Sequence, residues 1–213
     1  ADLIREGVLS EGHPTQRFWG SGIDLESYPT QPLPKGPTTF LLVARLLRDK
    51  GVREFVEAAR SVHATHPDAR FVLVGPTDTN PAGIPESEVQ AWSREGVVEV
   101  AGETSDVRPF LRDCTVYVLP SYREGTPRSV LEAMATGRAI ITTDAPGCRE
   151  TVVHDQTGLL VPVRDAQGLA SAMRRYLDEP GLIERHGTAS LQRAKDLFDV
   201  QKVNAAMLEA MGL

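Results

Sequence analysis

Two glutamates, Glu124 and Glu132, lie within the stretch SYREGTPRSVLEAMATGRAIITT, residues 121 to 143. They bracket a Gly125-Thr126-Pro127 turn that opens onto a helical pattern. Thr126 suits a helix N-cap, because its hydroxyl can accept from a first-turn amide. Pro127 then falls at the first helical position, where a fixed φ and a missing N–H are tolerated. On that register the helix start offers the N–H groups of Arg128, Ser129 and Val130. Unpaired amides at the positive end of a helix dipole suit a phosphate. The same residues also describe an ordinary capped helix.

Glu132 sits about one turn inside that helix, with apolar Val130, Leu131, Ala133 and Met134 around it. A carboxylate in that setting faces solvent or accepts strong hydrogen bonds. A ribose diol brings two hydroxyl donors to one carboxylate, the use that dinucleotide-binding folds make of an acidic residue. A salt bridge to a nearby arginine is the plainer alternative. Glu124, ahead of the turn, would face whatever lies beyond the phosphate, or serve as a solvated loop charge.

A second group lies in VARLLRDKG, where Arg45 ends an apolar run and Lys50 precedes Gly51. Two cations at one strand end repel unless an anion lies between them. The planar fork of arginine and the point charge of lysine make a suitable pair for a diphosphate. A plain basic loop is the alternative, and Arg48 and Asp49 read as solvated.

The elements that must position these groups are legible as alternating patterns. Apolar runs over 38–45, 70–75, 97–102, 115–121, 138–144 and 158–163 read as strands. Being apolar throughout rather than alternating, they suit a parallel sheet covered on both faces. Between them, residues 51–67 carry Val52, Phe55, Val56 and Ala59 at the spacing of one buried helical stripe. Further helices are expected over about 86–94, 105–113, 128–136, 165–177 and 182–195, with a last one toward the C-terminus. Strand and helix alternating in this way predict an α/β fold, a doubly wound parallel sheet of Rossmann-like type. Ligands in such folds bind outside the carboxyl ends of the strands, which singles out the loops 45–50, 75–80, 102–105, 121–128 and 144–150.

Residues 29–37 hold four prolines and a glycine, the composition of an interdomain linker. Residues 1–37 are therefore expected to be the tail of a preceding domain, beginning mid-helix, followed by that linker. The folded body is expected from Thr38 through 195, with 196–213 as a C-terminal helix packing toward the preceding domain. Hydrophobic residues make up 41 % of the 213 positions and charged ones 24 %, with a formal net charge of −6. No clustered Lys/Arg run favours nucleic acid, and no basic membrane-surface helix is visible. No apolar run reaches the ~20 residues of a spanning helix. Cys114 and Cys148 read as reduced, and the five scattered histidines give no metal-binding spacing.

VARLLRDKGV, FVLVG and the run from DCTVYVLPSYREGTPRSVLEAMATG through GLLVPVRDAQGLASAM resemble the C-terminal domain of a retaining GT-B glycosyltransferase of the GT4 type. The likeness runs from about Gly20 to the end, and its hallmark, Glu, seven residues, Glu, is met by Glu124 and Glu132. The resemblance implies that Glu132 binds the ribose of a nucleotide sugar and that Glu124 approaches the donor sugar. It implies that Arg45 and Lys50 hold the diphosphate and that the amides of Arg128 and Ser129 meet the β-phosphate. Gly125, Thr126 and Pro127 would form the turn under the sugar. The backbone through Glu103 and Thr104 would receive the base, and Gly75 would line the same cleft. Many members have glycine where this chain has Pro127. The form found here resembles hexosamine transferases of polysaccharide and lipid-linked oligosaccharide assembly.

The resemblance therefore implies a metal-independent, cofactor-free transferase with a UDP-linked hexose or N-acetylhexosamine as donor. The acceptor would be a glycan or lipid-linked sugar held by a separate N-terminal domain, without which the chain would not turn over. A cytoplasmic location is expected, with peripheral attachment at the inner membrane face open to the intact enzyme. A sugar epimerase or phosphorylase of the same fold, or a non-catalytic nucleotide-binding module, remain alternatives.

Overall fold

The computed structural model describes Phe18 and residues 20–212; the helix end expected before them lies outside the described residues. Six strands form one parallel sheet: β1 (Thr39–Val43), β2 (Arg70–Val74), β3 (Glu99–Gly102), β4 (Val116–Leu119), β5 (Ala139–Thr143) and β6 (Leu159–Val161). Their order across the sheet is β3-β2-β1-β4-β5-β6. Helices connect them: α1 (Val52–His63), α2 (Glu86–Glu95), α3 (Arg108–Asp113), α4 (Arg128–Ala135), α5 (Ala166–Asp178) and α6 (Pro180–Arg193). A π-helical turn (Ala194–Phe198) leads into α7 (Val200–Met211). The expected doubly wound α/β architecture is the one found.

Alternate side chains of each strand enter opposite layers, which explains why the runs are apolar throughout. Phe40 and Leu42 of β1 pack with Phe55 and Val56 of α1 and with Met173 and Tyr176 of α5. Leu41 between them turns to the other face, into a layer with Tyr117, Val130, Leu131 and Met134. Each such buried side chain contributes on the order of 2 kcal/mol relative to exposure.

One helix begins later than periodicity predicts. The helix expected from 105 starts at Arg108, because Thr104 and Asp106 first close a local turn. The Thr104 hydroxyl donates to the Asp106 carbonyl at 2.9 Å, and the Asp106 carboxylate accepts the Arg108 N–H at 3.0 Å. Short polar side chains compete with helical bonding in this way.

Residues ahead of Thr38, the proline-rich segment included, pack against the sheet domain. Ile23 is buried, donating its N–H to Phe198 at 2.7 Å and accepting from Val200 at 3.0 Å. Gln31 donates to the Thr136 carbonyl at 3.1 Å. Arg138, wholly buried, donates to the carbonyls of Pro32 at 3.0 Å and Leu111 at 2.9 Å. Composition marks prolines correctly as irregular backbone, but it cannot show where that backbone finds partners. The two cysteines are free and buried. Among the described residues no helix is long and apolar enough to cross a membrane.

Candidate functional site

The strand order reverses direction at β1 and β4, and this is where the two predicted groups meet. β1 pairs with β2 over its whole length but with β4 only at Phe40 and Leu41. The strands therefore part toward their carboxyl ends, the place where doubly wound sheets take ligands. Tyr117 of β4 bridges the start of the gap, its hydroxyl donating to the Val43 carbonyl at 3.1 Å.

After β1 the chain runs through Arg45 into a 3-10 turn (Arg48–Lys50). The loop after β2 supports it, with Leu46 donating to Pro76 at 2.9 Å and Arg48 to Ala82 at 3.0 Å. Gly75 begins that support. A Cβ there would lie 1.8 Å from the Ala44 carbonyl oxygen, and its φ of 146° lies outside the range of L side chains. After β4, Tyr122 donates its N–H to the Asp49 carbonyl at 2.8 Å, joining the two loops across the gap.

Lys50 and Glu124 form the first constellation. Lys50 Nζ lies 2.6 Å from Glu124 Oε1, which also accepts from the Ser121 hydroxyl at 2.8 Å. Both charged side chains are mostly buried, at 19 % and 15 % exposure. Ser121 is itself fixed, since its carbonyl accepts from the Thr143 hydroxyl of β5. The loop after β5 closes over Glu124: its N–H donates to the Pro146 carbonyl at 3.0 Å. A Cβ on Gly147, at φ 85°, would stand 2.2 Å from the carbonyl oxygens of Glu124 and Gly125.

Arg45 and Lys50 each hold a different carboxylate of the chain. Arg45 pairs with Asp78 at 3.0 Å and remains 63 % exposed. In water a guanidinium needs no second cation's partner, so each basic side chain has taken its own carboxylate. Arg48 and Asp49 are solvated, as expected.

Glu132 forms the second constellation. Its Oε1 accepts the Tyr28 hydroxyl at 2.9 Å and Arg128 Nε at 3.2 Å, so the expected salt bridge to a nearby arginine is present. Among the described residues Oε2 has no hydrogen-bond partner. Burial raises the pKa of this carboxyl above the ordinary glutamate range, and Tyr28 and Arg128 partly oppose that by bonding the charged form. Burial and the Glu132 charge push Tyr28 up to about 12, so its hydroxyl is a proton donor at neutral pH. Tyr28, Ser105, Asp106, Arg128 and Glu132 line an open cleft of about 420 Å³.

The helix start between the two carboxylates differs from its expected register. Pro127, not Thr126, is the N-cap of α4, with ψ 108° and no side-chain cap bond. The Pro127 carbonyl accepts from Val130 at 3.1 Å and Leu131 at 3.3 Å, so Val130 is not one of the offered amides. Among the described residues, those of Arg128 and Ser129 have no backbone acceptor. Thr126, half-buried, lies against the Gly20 backbone instead.

A family model described as glycosyl transferases group 1 matches residues 37–179, two thirds of the chain. The chain belongs to this family.

Among the similar proteins is an N,N'-diacetylbacillosaminyl-diphospho-undecaprenol alpha-1,3-N-acetylgalactosaminyltransferase of Campylobacter jejuni. It is 38 % identical over 142 residues, which are 67 % of this chain and 36 % of that protein. Anabaena Alr3699/HepE in complex with UDP superposes with a TM-score of 0.80 at 22 % identity, over 90 % of this chain and 56 % of the other. The C-terminal domain of a Francisella tularensis group 1 family protein, LpcC, superposes with a TM-score of 0.72 at 22 % identity. That superposition covers 84 % of this chain and all of that domain. The chain thus spans between about a third and a half of the full-length relatives, and its fold is the C-terminal half of the GT-B architecture.

Within this group 1 glycosyltransferase fold, the remaining expected residues lie at the same sheet edge. Gly75 donates its N–H to the Gly102 carbonyl at 2.8 Å, tying the loops after β2 and β3. Glu103 is exposed and Thr104 is engaged with Asp106. Gly125 is exposed beside Gly147. No local pattern marks Tyr28, which is 104 positions from Glu132, or Asp78 as a partner. For Ser121 a signal existed: its spacing from Glu124 within one loop.

Proposed function

We propose that this chain is the donor-binding half of a retaining, metal-independent glycosyltransferase that takes a nucleoside-diphosphate sugar. The observation that carries this reading is the convergence at the β1/β4 switch point. Lys50, the first-turn amides of Arg128 and Ser129, and the carboxylate of Glu132, whose Oε2 has no partner among the described residues, follow one another along a single open edge. A diphosphate suits the cation and amides, and a ribose diol suits Glu132. Glu124, pinned to Lys50, stands at the sugar end and acts by position. UDP is the favoured nucleotide, supported by the UDP complex of the Anabaena neighbour. An N-acetylhexosamine is favoured by the name of the Campylobacter relative, and its undecaprenol-linked acceptor favours a lipid-linked or glycan acceptor here. Acceptor binding falls to the part of the relatives' length that this chain does not span.

In the transfer, the bond between the anomeric carbon and the β-phosphate oxygen breaks, and its electron pair stays on the phosphate. The acceptor oxygen bonds the anomeric carbon, and its proton passes to the departing phosphate oxygen on the same face. Lys50, Arg45 and the two amides bind most tightly where that negative charge grows, so they favour the transition state over the ground state. The diphosphate must draw Lys50 from Glu124 and Arg45 from Asp78, an exchange of one anion for another within reach of the same side chains. Calorimetry of the chain with UDP, GDP and ADP and their sugars tests the reading. Binding of one nucleotide family, weakened in Glu132→Gln and Arg45→Ala, is expected. No binding of any, or variants equal to the parent chain, sinks it. Product anomer analysis and chelator treatment of the intact enzyme test retention and metal independence.

A further inference from the structure

We propose that Tyr28 is a positioning residue of the nucleotide site, its hydroxyl fixing the Glu132 carboxylate so that Oε2 is left to receive a ribose hydroxyl. This rests on the donor-binding reading above and adds to it a residue from the segment that precedes β1.

Three observations place Tyr28 in the site. Its hydroxyl donates to Oε1 at 2.9 Å, while Oε2 has no partner among the described residues. It lines the same 420 Å³ cleft as Glu132. Its backbone is anchored independently of that bond: Gln31 donates to Thr136, one turn beyond Glu132 on the same helix, at 3.1 Å. The buried Arg138 holds the Pro32 carbonyl at 3.0 Å. The tyrosine is therefore delivered to the carboxylate by the fold rather than drawn to it as a surface contact.

Arg128, the other donor to Oε1, cannot hold the carboxylate in the same way. Its side chain is 76 % exposed and its contact is 3.2 Å long, so water competes for it. A carboxylate turns about its last torsion, and a cis-diol needs its acceptor oxygens in one fixed plane. A donor that locks that torsion beforehand removes ordering that the ligand would otherwise have to impose. A tyrosine hydroxyl also helps keep the buried carboxylate ionised, the form that accepts from hydroxyls.

The test uses the full chain and whichever of UDP, GDP and ADP it binds most tightly, together with the 2'-deoxy form of that nucleotide. The parent chain is expected to prefer the ribonucleotide. Tyr28→Phe keeps the ring and should lose about tenfold in affinity for the ribonucleotide, with far less change for the deoxy form, so the preference collapses. Glu132→Gln should collapse it too. The preference is a ratio taken on one sample, so a smaller folded fraction leaves it unchanged. A Tyr28→Phe chain that keeps the parent ratio overturns the inference and leaves the donor-binding reading standing, even if both affinities fall. A parent chain that binds nucleotide without preferring the ribo form, or a Glu132→Gln chain that keeps the preference, also overturns it. A parent chain that binds none of the three nucleotides removes the underlying reading itself.

Discussion

Glu124 and Glu132 are alike in pattern and unlike in support. Each accepts two donors on Oε1, Glu124 from Lys50 and Ser121, Glu132 from Tyr28 and Arg128. The donors of Glu124 belong to loops bound into the sheet edge, and one of them is a mostly buried cation. The donors of Glu132 are a hydroxyl from the segment before β1 and an exposed arginine on its own helix. Glu124 is thus bound to the very cation that a diphosphate would use, so sugar end and phosphate end respond together. Glu132 is held without sharing that cation. The difference teaches that one spacing motif can carry two electrostatic designs, one of charge exchange and one of fixed orientation.

Removing Lys50 should have the largest effect, because it breaks the first design at both of its functions. Lys50→Ala is expected to slow transfer by the intact enzyme by on the order of 10²-fold or more. It also strands a mostly buried carboxylate, which destabilises the fold by about 1–3 kcal/mol, seen as a lower Tm. Unchanged turnover would show that the cation is only a structural partner.

Gly147→Ala attacks Glu124 through its backbone alone. The added methyl would stand 2.2 Å from two carbonyl oxygens at a positive φ. We expect a stability loss of roughly 2 kcal/mol and reduced transfer. Affinity for the nucleoside, which carries no diphosphate, should hold, since the Glu132 side of the cleft is untouched. Equal loss of both would merge the two regions into one.

Glu132→Gln should reverse that outcome. Replacing the charged acceptor lowers nucleotide affinity by about tenfold or more, while Tm stays level or rises because a buried charge is gone. The pH dependence follows the same logic. Burial raises the Glu132 carboxyl, so on titration upward the unfolded chain ionises first, and the contribution of this group to stability is lost as pH rises through the raised value. The proposed ribose contact needs the ionised form. It is present above that value and falls as pH is lowered through it, before an ordinary glutamate would protonate. Calorimetry at descending pH should show this fall in the parent chain and not in Glu132→Gln.

The smallest stability effect belongs to Arg45→Ala. Its pair with Asp78 is largely solvated, so thermal unfolding should shift by less than about 1 kcal/mol. Diphosphate affinity should nonetheless fall, which separates a residue kept for its ligand from one kept for the fold.

Sequence alone determined the layers and the strands, because apolar runs and a helical stripe are local patterns set by burial on one or two sides. It also determined that Lys50, Glu124, Arg128 and Glu132 share one sheet edge, because in a doubly wound sheet every strand delivers its following loop to that edge. Helix register at Pro127 was not legible, since the choice of cap rests on a backbone torsion rather than on residue type. Nor were the pairings of Arg45 with Asp78 and of Tyr28 with Glu132. Both partners lie far away in the chain, and only packing brings them within a hydrogen bond. The tertiary structure alone decided which carboxylate each cation holds, and it packed a proline-rich stretch, read as an interdomain linker, against Thr136 and Arg138.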